Sequence, residues 1–82
     1  MAKVVAEYRY AEPLTAEQYA RDAPRLADCL EVREARLVAT YVSRDGTRRI
    51  SVFDAADAES VRNAHRSANV RFESIWSAEA PS

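Results

Sequence analysis

Two side chains in this sequence have the chemistry of an acid–base pair: the sole histidine, His65, and a glutamate, Glu7. An unperturbed imidazole titrates near neutral pH, so His65 suits general acid–base catalysis. Glu7 belongs to a predicted central strand, where burial would raise the pKa of its carboxyl and let it abstract a proton. We therefore take both as candidate catalytic residues. Each residue also has a purely structural alternative: His65 as a partly buried core residue, and Glu7 as the partner of an arginine in an ion pair.

A second group of side chains suits a small organic ligand. Aromatic rings that carry a polar group favour apolar, oxygen-bearing molecules. The sequence predicts a ligand pocket lined by four such residues and one carboxylate: Tyr8, Tyr10, Tyr41, Trp76 and Asp54. The same aromatic residues are equally expected in an ordinary hydrophobic core, and this alternative stays open.

Length and composition predict a single small domain that spans residues 1–82. A chain this short gains stability by burying surface against a partner, so we expect it to self-associate. Its formal net charge of -1 offers no basic surface, and we expect neither a nucleic-acid nor a membrane partner. No apolar run suits a signal peptide or a membrane span, and the lone cysteine cannot form an intrachain disulfide. These features predict a cytoplasmic protein.

A predicted hairpin between residues 37 and 54 is the centre of the fold. Two strand-like runs, Leu37–Val42 and Ile50–Asp54, flank a polar tip that contains Asp45 and Gly46, the only glycine. Asp-Gly is typical of a type I′ turn, which needs positive φ at both central residues. A two-residue turn predicts these cross-strand pairs: Tyr41 with Ile50 and Ala39 with Val52 on one face, Val42 with Arg49, Thr40 with Ser51 and Val38 with Phe53 on the other.

Local patterns predict the strand and the helix that precede this hairpin. Alternation predicts a strand over residues 3–10, with one face formed by Val4, Ala6, Tyr8 and Tyr10. Thr15 and Gln18 form a capping box that starts a helix. Its apolar stripe continues to Leu30, with a kink or a restart expected at Pro24. The charged residues 31–36 are predicted to be a solvated connection.

The part of the chain after the hairpin predicts a helix, a strand and a tail. Asp57 is placed to cap the helix, and Asn69 to end it in the left-handed conformation. Alternating apolar and polar side chains predict a strand over residues 70–78, and residues 80–82 form the tail.

The order β-α-β-β-α-β predicts an α+β, ferredoxin-like split βαβ fold, with a four-stranded antiparallel sheet and both helices on one face. The sheet carries more apolar surface than two helices cover, so we expect a homodimer through its open face.

Residues 40–46, 52–62, 65–66 and 72–75 resemble a family of small bacterial ferredoxin-like proteins. Most of its members are of unknown function, and its structurally known type is a dimeric nickel-binding protein. The resemblance covers nearly the whole chain. It implies a homodimer with nickel or another divalent metal as cofactor, and His65 as a metal ligand because it matches the family's His-Arg pair.

The chain departs from this family at two positions that matter for a metal. Relatives commonly carry histidine and cysteine where this chain has Ala39 and Ser51. Imidazole and thiolate are the ligands that nickel or copper favours, so the resemblance implies metal binding that is weakened or lost.

Two classes of function follow from these observations. The first is a homodimeric protein that binds a metal ion or a small molecule. The second is a cofactor-independent enzyme of specialised metabolism, namely a cyclase, isomerase or oxygenase, by analogy with dimeric α/β barrels that enclose hydrophobic substrates. Clustered His, Cys and carboxylate side chains would favour the metal protein, and an apolar pocket with one or two titrating groups would favour the enzyme.

Overall fold

Two helices and a four-stranded sheet make up the computed structural model, which describes residues 1–81. The elements are β1 (Ala2–Arg9), α1 (Ala16–Val32), β2 (Arg36–Val42), β3 (Arg48–Ala55), α2 (Ala58–Ala68) and β4 (Ser74–Ala78). The sheet is antiparallel with strand order β2-β3-β1-β4. The predicted ferredoxin-like order of elements is therefore confirmed. Ser82, the last residue of the predicted tail, lies outside the described residues.

The alternation of side chains along β1 separates the two faces of the sheet. Val4, Ala6 and Tyr8 are buried, whereas Val5 and Glu7 point the opposite way. The buried face joins both helices in one core, which includes Phe53, Ala55 and Ile75 of the sheet, Leu26 and Leu30 of α1, and Val61, Ala64 and Ala68 of α2. We call the opposite side the open face. It carries Lys3, Val5, Glu7, Ala39, Tyr41, Ile50, Val52, Asp54, Ser74 and Trp76.

The starts of both helices follow the predicted capping signals. Thr15 and Gln18 form the reciprocal capping box of α1, and the Asp57 side chain accepts a hydrogen bond from the backbone N–H of Ser60 at the start of α2. The helix α1 runs unbroken through Pro24, so the alternative of a restart there is wrong. Packing of the buried Leu26 and Leu30 on the sheet compensates for the missing backbone donor of the proline.

Two residues with positive φ end the helices. Asn69 closes α2 with a φ of 58°, as predicted. Glu34 closes α1 with a φ of 56°, and the backbone N–H of Ala35 reaches back to the carbonyl of Leu30. The connection predicted over residues 31–36 is therefore shorter, because α1 continues to Val32 and β2 begins at Arg36.

The hairpin keeps most of the predicted register but not the predicted turn. Within the hairpin loop, Gly46 has a positive φ and Asp45 does not. The prediction of a type I′ turn is therefore wrong. The Asp45 carboxylate instead accepts hydrogen bonds from Ser43 Oγ and from the backbone and hydroxyl of Thr47. These bonds close a four-residue loop between Ser43 and Arg48, and they hold the pKa of Asp45 at about 2.

A bulge changes the start of β2. Leu37 pairs with Phe53, Ala39 pairs with Val52, and Val38 lies between them without a partner on β3. The predicted pair of Val38 with Phe53 is therefore wrong. The extra residue lets Leu37 face Phe53 while the rest of the strand keeps its predicted pairing.

The last strand is shorter than predicted. It covers Ser74–Ala78, and residues 70–73 form a connection in which Phe72 packs against the core. No helix within residues 1–81 has the length and apolar character needed to cross a membrane.

Candidate functional site

His65 lies fully buried in the core, on the inner face of α2. Its ring centroid is 5.6 Å from that of Tyr8, 5.7 Å from that of Phe53 and 5.4 Å from that of Phe72. Nδ1 is 2.7 Å from the carbonyl oxygen of Val61, and Nε2 is 2.6 Å from the Tyr8 hydroxyl. Because a carbonyl only accepts, Nδ1 of the neutral ring carries the proton, and Tyr8 donates to Nε2.

The surroundings of His65 favour its neutral form. Burial lowers the pKa of the His65 imidazole, and the charge of Arg49 lowers it further against the opposing effect of the Val61 carbonyl. Burial also raises the pKa of the Tyr8 hydroxyl, so Tyr8 keeps its proton. A role as a base or as a metal ligand would require breaking one of the two hydrogen bonds of the imidazole.

Glu7 lies on the open face, in the middle of β1. Its Oε2 accepts a hydrogen bond from Ser74 Oγ at 2.8 Å and another from Trp76 Nε1 at 3.2 Å. The bonds from Ser74 and Trp76, with a smaller effect from the charge of Arg48, lower the pKa of the Glu7 carboxyl. The expectation of a raised pKa is therefore wrong for Glu7 in this structure, because two donors stabilise the carboxylate and the side chain is only half-buried.

The two candidate catalytic residues do not meet. Glu7 is on the open face, whereas His65 contacts the neighbouring residue, Tyr8, from the opposite side of the same strand. Successive residues of a strand point to opposite faces, so the sheet itself separates the two groups. A catalytic role for either residue stays a prediction, and each would have to act without the other.

The predicted ligand pocket is divided in the same way. Tyr8 and Tyr10 pack on the helix side, whereas Tyr41 and Trp76 lie on the open face with 67% and 44% of their surfaces exposed. Asp54 lies at one end of the open face. Its carboxylate is 2.6 Å from Lys3 Nζ and 3.1 Å from Arg36 Nη2, and these cations, Lys3 first, lower its pKa.

The cavity enclosed between α1 and the sheet is too small for an organic ligand. A cavity of about 40 Å³ lies under α1, lined by Tyr19, Leu26, Leu37 and Phe53 among others. Sites for small organic molecules are about 300–1,000 Å³ in volume. An apolar ligand of ordinary size therefore does not fit inside this cavity.

The described residues contain no cluster that could form a metal centre. Within residues 1–81, no three His, Cys, Asp or Glu side chains are grouped so that they could hold one ion. Ala39 lies on the open face, whereas Ser51 is buried on the helix side. A histidine and a cysteine at these two positions would therefore face opposite sides of the sheet in this structure.

Arg49 is a buried residue that sequence reasoning missed. It is only 7% exposed, and its guanidinium carbon lies 3.7 Å from the ring centroid of Tyr8 and 5.3 Å from that of Tyr19. The signal was present in the alternation of β3, because Arg49 shares the buried face with Ser51 and Phe53.

Comparison with known proteins places the fold in a family. The model of the family described as "Nickel responsive protein SCO4226-like" matches residues 5–77. No curated protein matches the sequence. The crystal structure of SCO4226 from Streptomyces coelicolor A3(2) superposes with a TM-score of 0.82 over 99% of this chain and 98% of that chain, at 15% sequence identity, which shows a shared fold. Since the family model covers most of its length, the chain belongs to the nickel-responsive SCO4226-like family.

Proposed function

We propose that this protein is a homodimeric ligand-binding protein, which holds a small apolar molecule between the open faces of two protomers and close to Glu7. The observation that carries the proposal is a carboxylate in the middle of an exposed apolar surface. Glu7 pairs with Ile50 on one side and lies next to Trp76 on the other.

The composition of the open face supports its burial against a second copy. Ile50, Tyr41 and Trp76 leave 40–67% of their surfaces exposed, and Val5 and Val52 pair with each other between them. Charged residues lie at the ends of the face: Lys3, Asp54 and Arg36 at one end, Arg9 and Arg48 at the other. An apolar centre that is rich in aromatic residues, with a charged rim, is typical of protein interfaces.

The chemistry around Glu7 supports a ligand with a donor group. The lowered pKa of the carboxyl keeps it ionised at neutral pH, and the indole of Trp76 is held in place by its hydrogen bond to Oε2. An apolar molecule with a hydroxyl, an amine or another hydrogen-bond donor could stack on the indole and donate to Glu7. Tyr41 would close the other side of the site.

We further propose that nickel binding, which the family name suggests, is weakened or lost in this chain. Ala39 and Ser51 offer neither an imidazole nor a thiolate, and both ring nitrogens of His65 are already hydrogen-bonded. A metal would be left with carboxylates such as Glu7 and Asp54, which are poorer ligands for nickel.

Sedimentation at micromolar concentration tests the dimer. We expect the wild type to be a dimer and Ile50→Asp to be a monomer, because a charge in the centre of an apolar interface is costly. Val32→Asp, which changes a residue that is 81% exposed on α1, is the matched control and should stay dimeric. A monomeric wild type would overturn the proposal.

Fluorescence and melting temperature test the ligand. Trp76 is the only tryptophan, so its emission reports directly on the open face. In a panel of polycyclic and polyketide-like compounds, a ligand should quench Trp76 and raise the melting temperature of the dimer, and Glu7→Gln should weaken its binding. If no compound in the panel has either effect, ligand binding on this face is contradicted even though the dimer remains.

A cofactor-independent enzyme is the second candidate function, favoured by the same carboxylate. Burial in a dimer would desolvate the Glu7 carboxyl and raise its pKa, against the effect of its two hydrogen bonds. The pKa would then be closer to that of a general base that works near neutral pH. If a compound from the panel is turned over, Glu7→Gln should lower kcat by about 10²-fold or more. An equal loss in a folded His65→Gln variant would instead support the predicted catalytic role of the histidine.

A further inference from the structure

A cleft with many basic side chains lies on the helix side of the protein and reaches the end of the open face at Arg9. Its volume is about 770 Å³, and its walls come from the end of β1, from α1, from β3 and from the segment after α2. Five arginines line it, with only two acidic residues among them: Arg9, Arg21, Arg25, Arg49 and Arg71, with Asp22 and Glu73. The local charge is therefore positive although the chain as a whole is close to neutral.

Arg49 is a buried cation among the residues that line this cleft. It is 7% exposed, and no carboxylate within residues 1–81 lies within ion-pair distance of it. Nε donates to Ser51 Oγ and Nη1 donates to the Tyr10 hydroxyl, each at 3.2 Å. A buried charge without a counter-charge is costly, even when it stacks on an aromatic ring as Arg49 does on Tyr8.

The remaining terminal nitrogen of Arg49, Nη2, is available to a ligand. It makes no hydrogen bond to any residue from 1 to 81. Every fully buried side-chain nitrogen or oxygen in this part of the chain does have a partner, so Nη2 is not fully buried, and Arg49 is one of the residues that line the cleft. The stack on Tyr8 holds the guanidinium in one orientation, which lowers the entropic cost of using it to bind a ligand.

The other arginines are held loosely enough to serve the same ligand. Arg21 and Arg25 share the single carboxylate of Asp22, and Arg9 pairs with Glu73. These pairs are largely exposed and are therefore weak. Arg71 makes no ion pair within residues 1–81.

We propose that this cleft binds the oxyanion group of a small metabolite, either a phosphate or a carboxylate, with Arg49 as the preoriented donor and Arg71 as a second contact. The planar guanidinium matches both kinds of anion. Val70 and Phe72 also line the cleft and can contact the organic part of the ligand. This site depends on one protomer only, so it does not rest on the dimer or on ligand binding at the open face.

Calorimetric titration of the wild-type protein with inorganic phosphate, pyrophosphate and citrate tests the proposal, in buffer of about 50 mM ionic strength, where screening is limited. We expect at least one anion to bind saturably with one site per protomer. Stronger binding of the phosphates or of citrate identifies the group that the cleft prefers. If none of the three anions binds, the proposal is overturned.

Two variants and a control assign the binding to the cleft. Arg49→Met keeps the aliphatic stem of the side chain and should weaken binding about 10- to 100-fold, the effect of losing a hydrogen bond to a charged group. Arg71→Met should also weaken it, and because Arg71 is exposed this variant remains informative if Arg49→Met does not fold. Arg44→Met, at the exposed tip of the hairpin, should bind like the wild type. Equal binding by the wild type and the Arg71→Met and Arg44→Met variants would place the anion elsewhere and contradict the proposal.

Discussion

The Tyr8 hydroxyl donates a hydrogen bond to Nε2 of His65 across 2.6 Å in the interior of the protein. This bond joins β1 to α2, between residues 57 positions apart in the sequence. Together with the bond from Nδ1 to the Val61 carbonyl, it fixes the tautomer of the imidazole. The only histidine of the chain thus has a structural role that explains its complete burial.

Tyr8→Phe should destabilise the protein by about 1–3 kcal/mol, because it leaves Nε2 of His65 buried without a donor. The phenyl ring would still lie beneath Arg49, so the stacking in the core is kept. Chemical denaturation measures the change in the free energy of unfolding. Ser77→Ala, which removes an exposed hydroxyl from β4, is the control and should be neutral. Equal stability of the two variants would show that the buried bond contributes nothing.

The stability of the protein should fall as the pH decreases through the pKa of an ordinary histidine. The pKa of His65 in the folded protein is lowered from 6.5, first by burial, so the unfolded chain takes up a proton at a higher pH than the folded protein does. The contribution of the neutral imidazole is thus complete above about pH 6.5, and it is lost as the pH falls towards the lowered pKa.

Denaturation at a series of pH values between about 5 and 8 measures this effect. His65→Gln should flatten the profile in that range, because Tyr8 and Arg49, the polar groups that contact or influence the ring, do not titrate there. Asp45 has a pKa of about 2, so its effect appears only in stronger acid. A His65→Gln variant with the same slope as the wild type would contradict the assignment.

Gly46→Ala should destabilise the protein by about 1–3 kcal/mol, the cost of holding a residue with a side chain in a strained backbone conformation. Gly46 has a φ of 76°, and an added Cβ would lie 3.0 Å from the Cβ of Pro13. The carbonyl of Gly46 also accepts a hydrogen bond from the backbone of Leu14, so the loop cannot move away freely. Thermal unfolding measures the loss, with Arg44→Ala as a control in the same loop. A melting temperature equal to that of the control would contradict this explanation.

Nickel should bind the tag-free protein weakly, and His65→Gln should leave the heat of binding unchanged. Both ring nitrogens are hydrogen-bonded in the core, and no group of three suitable ligands occurs within residues 1–81. Isothermal titration of the two proteins with a nickel salt at pH 8 provides the measurement. A saturable site that is lost in His65→Gln would instead establish the histidine as a ligand, as the family resemblance implies.

Local sequence patterns were sufficient to predict the order of the elements and most of their ends. The capping box at Thr15, the cap at Asp57 and the left-handed Asn69 were all predicted correctly, because each depends on residues only a few positions apart. The pairing of Tyr41 with Ile50 was also predicted, since a short loop limits the possible registers of a hairpin.

Tertiary structure alone decided which chemical groups can act together. The alternation of side chains along β1 could be recognised in the sequence, and it already placed Glu7 and Tyr8 on different faces of the sheet. That His65 joins Tyr8, and that Ser74 and Trp76 reach Glu7, depends on the packing of α2 and on the pairing of β4. These contacts join residues 57 to 69 positions apart, for which no short-range pattern exists.

The environment of each group was likewise set by its distant neighbours. The Glu7 carboxyl has a lowered pKa instead of a raised one because donors from β4 reach it and no helix covers it. The alternation of β3 placed Arg49 on the buried face, but its partners Tyr8, Tyr10 and Tyr19 come from other elements that only the folded chain brings together. The sequence by itself therefore determined the type and the order of the helices and strands, which follow from local hydrogen bonding and hydrophobic periodicity. The burial and charge of the candidate sites follow from long-range packing, and only the folded chain decided them.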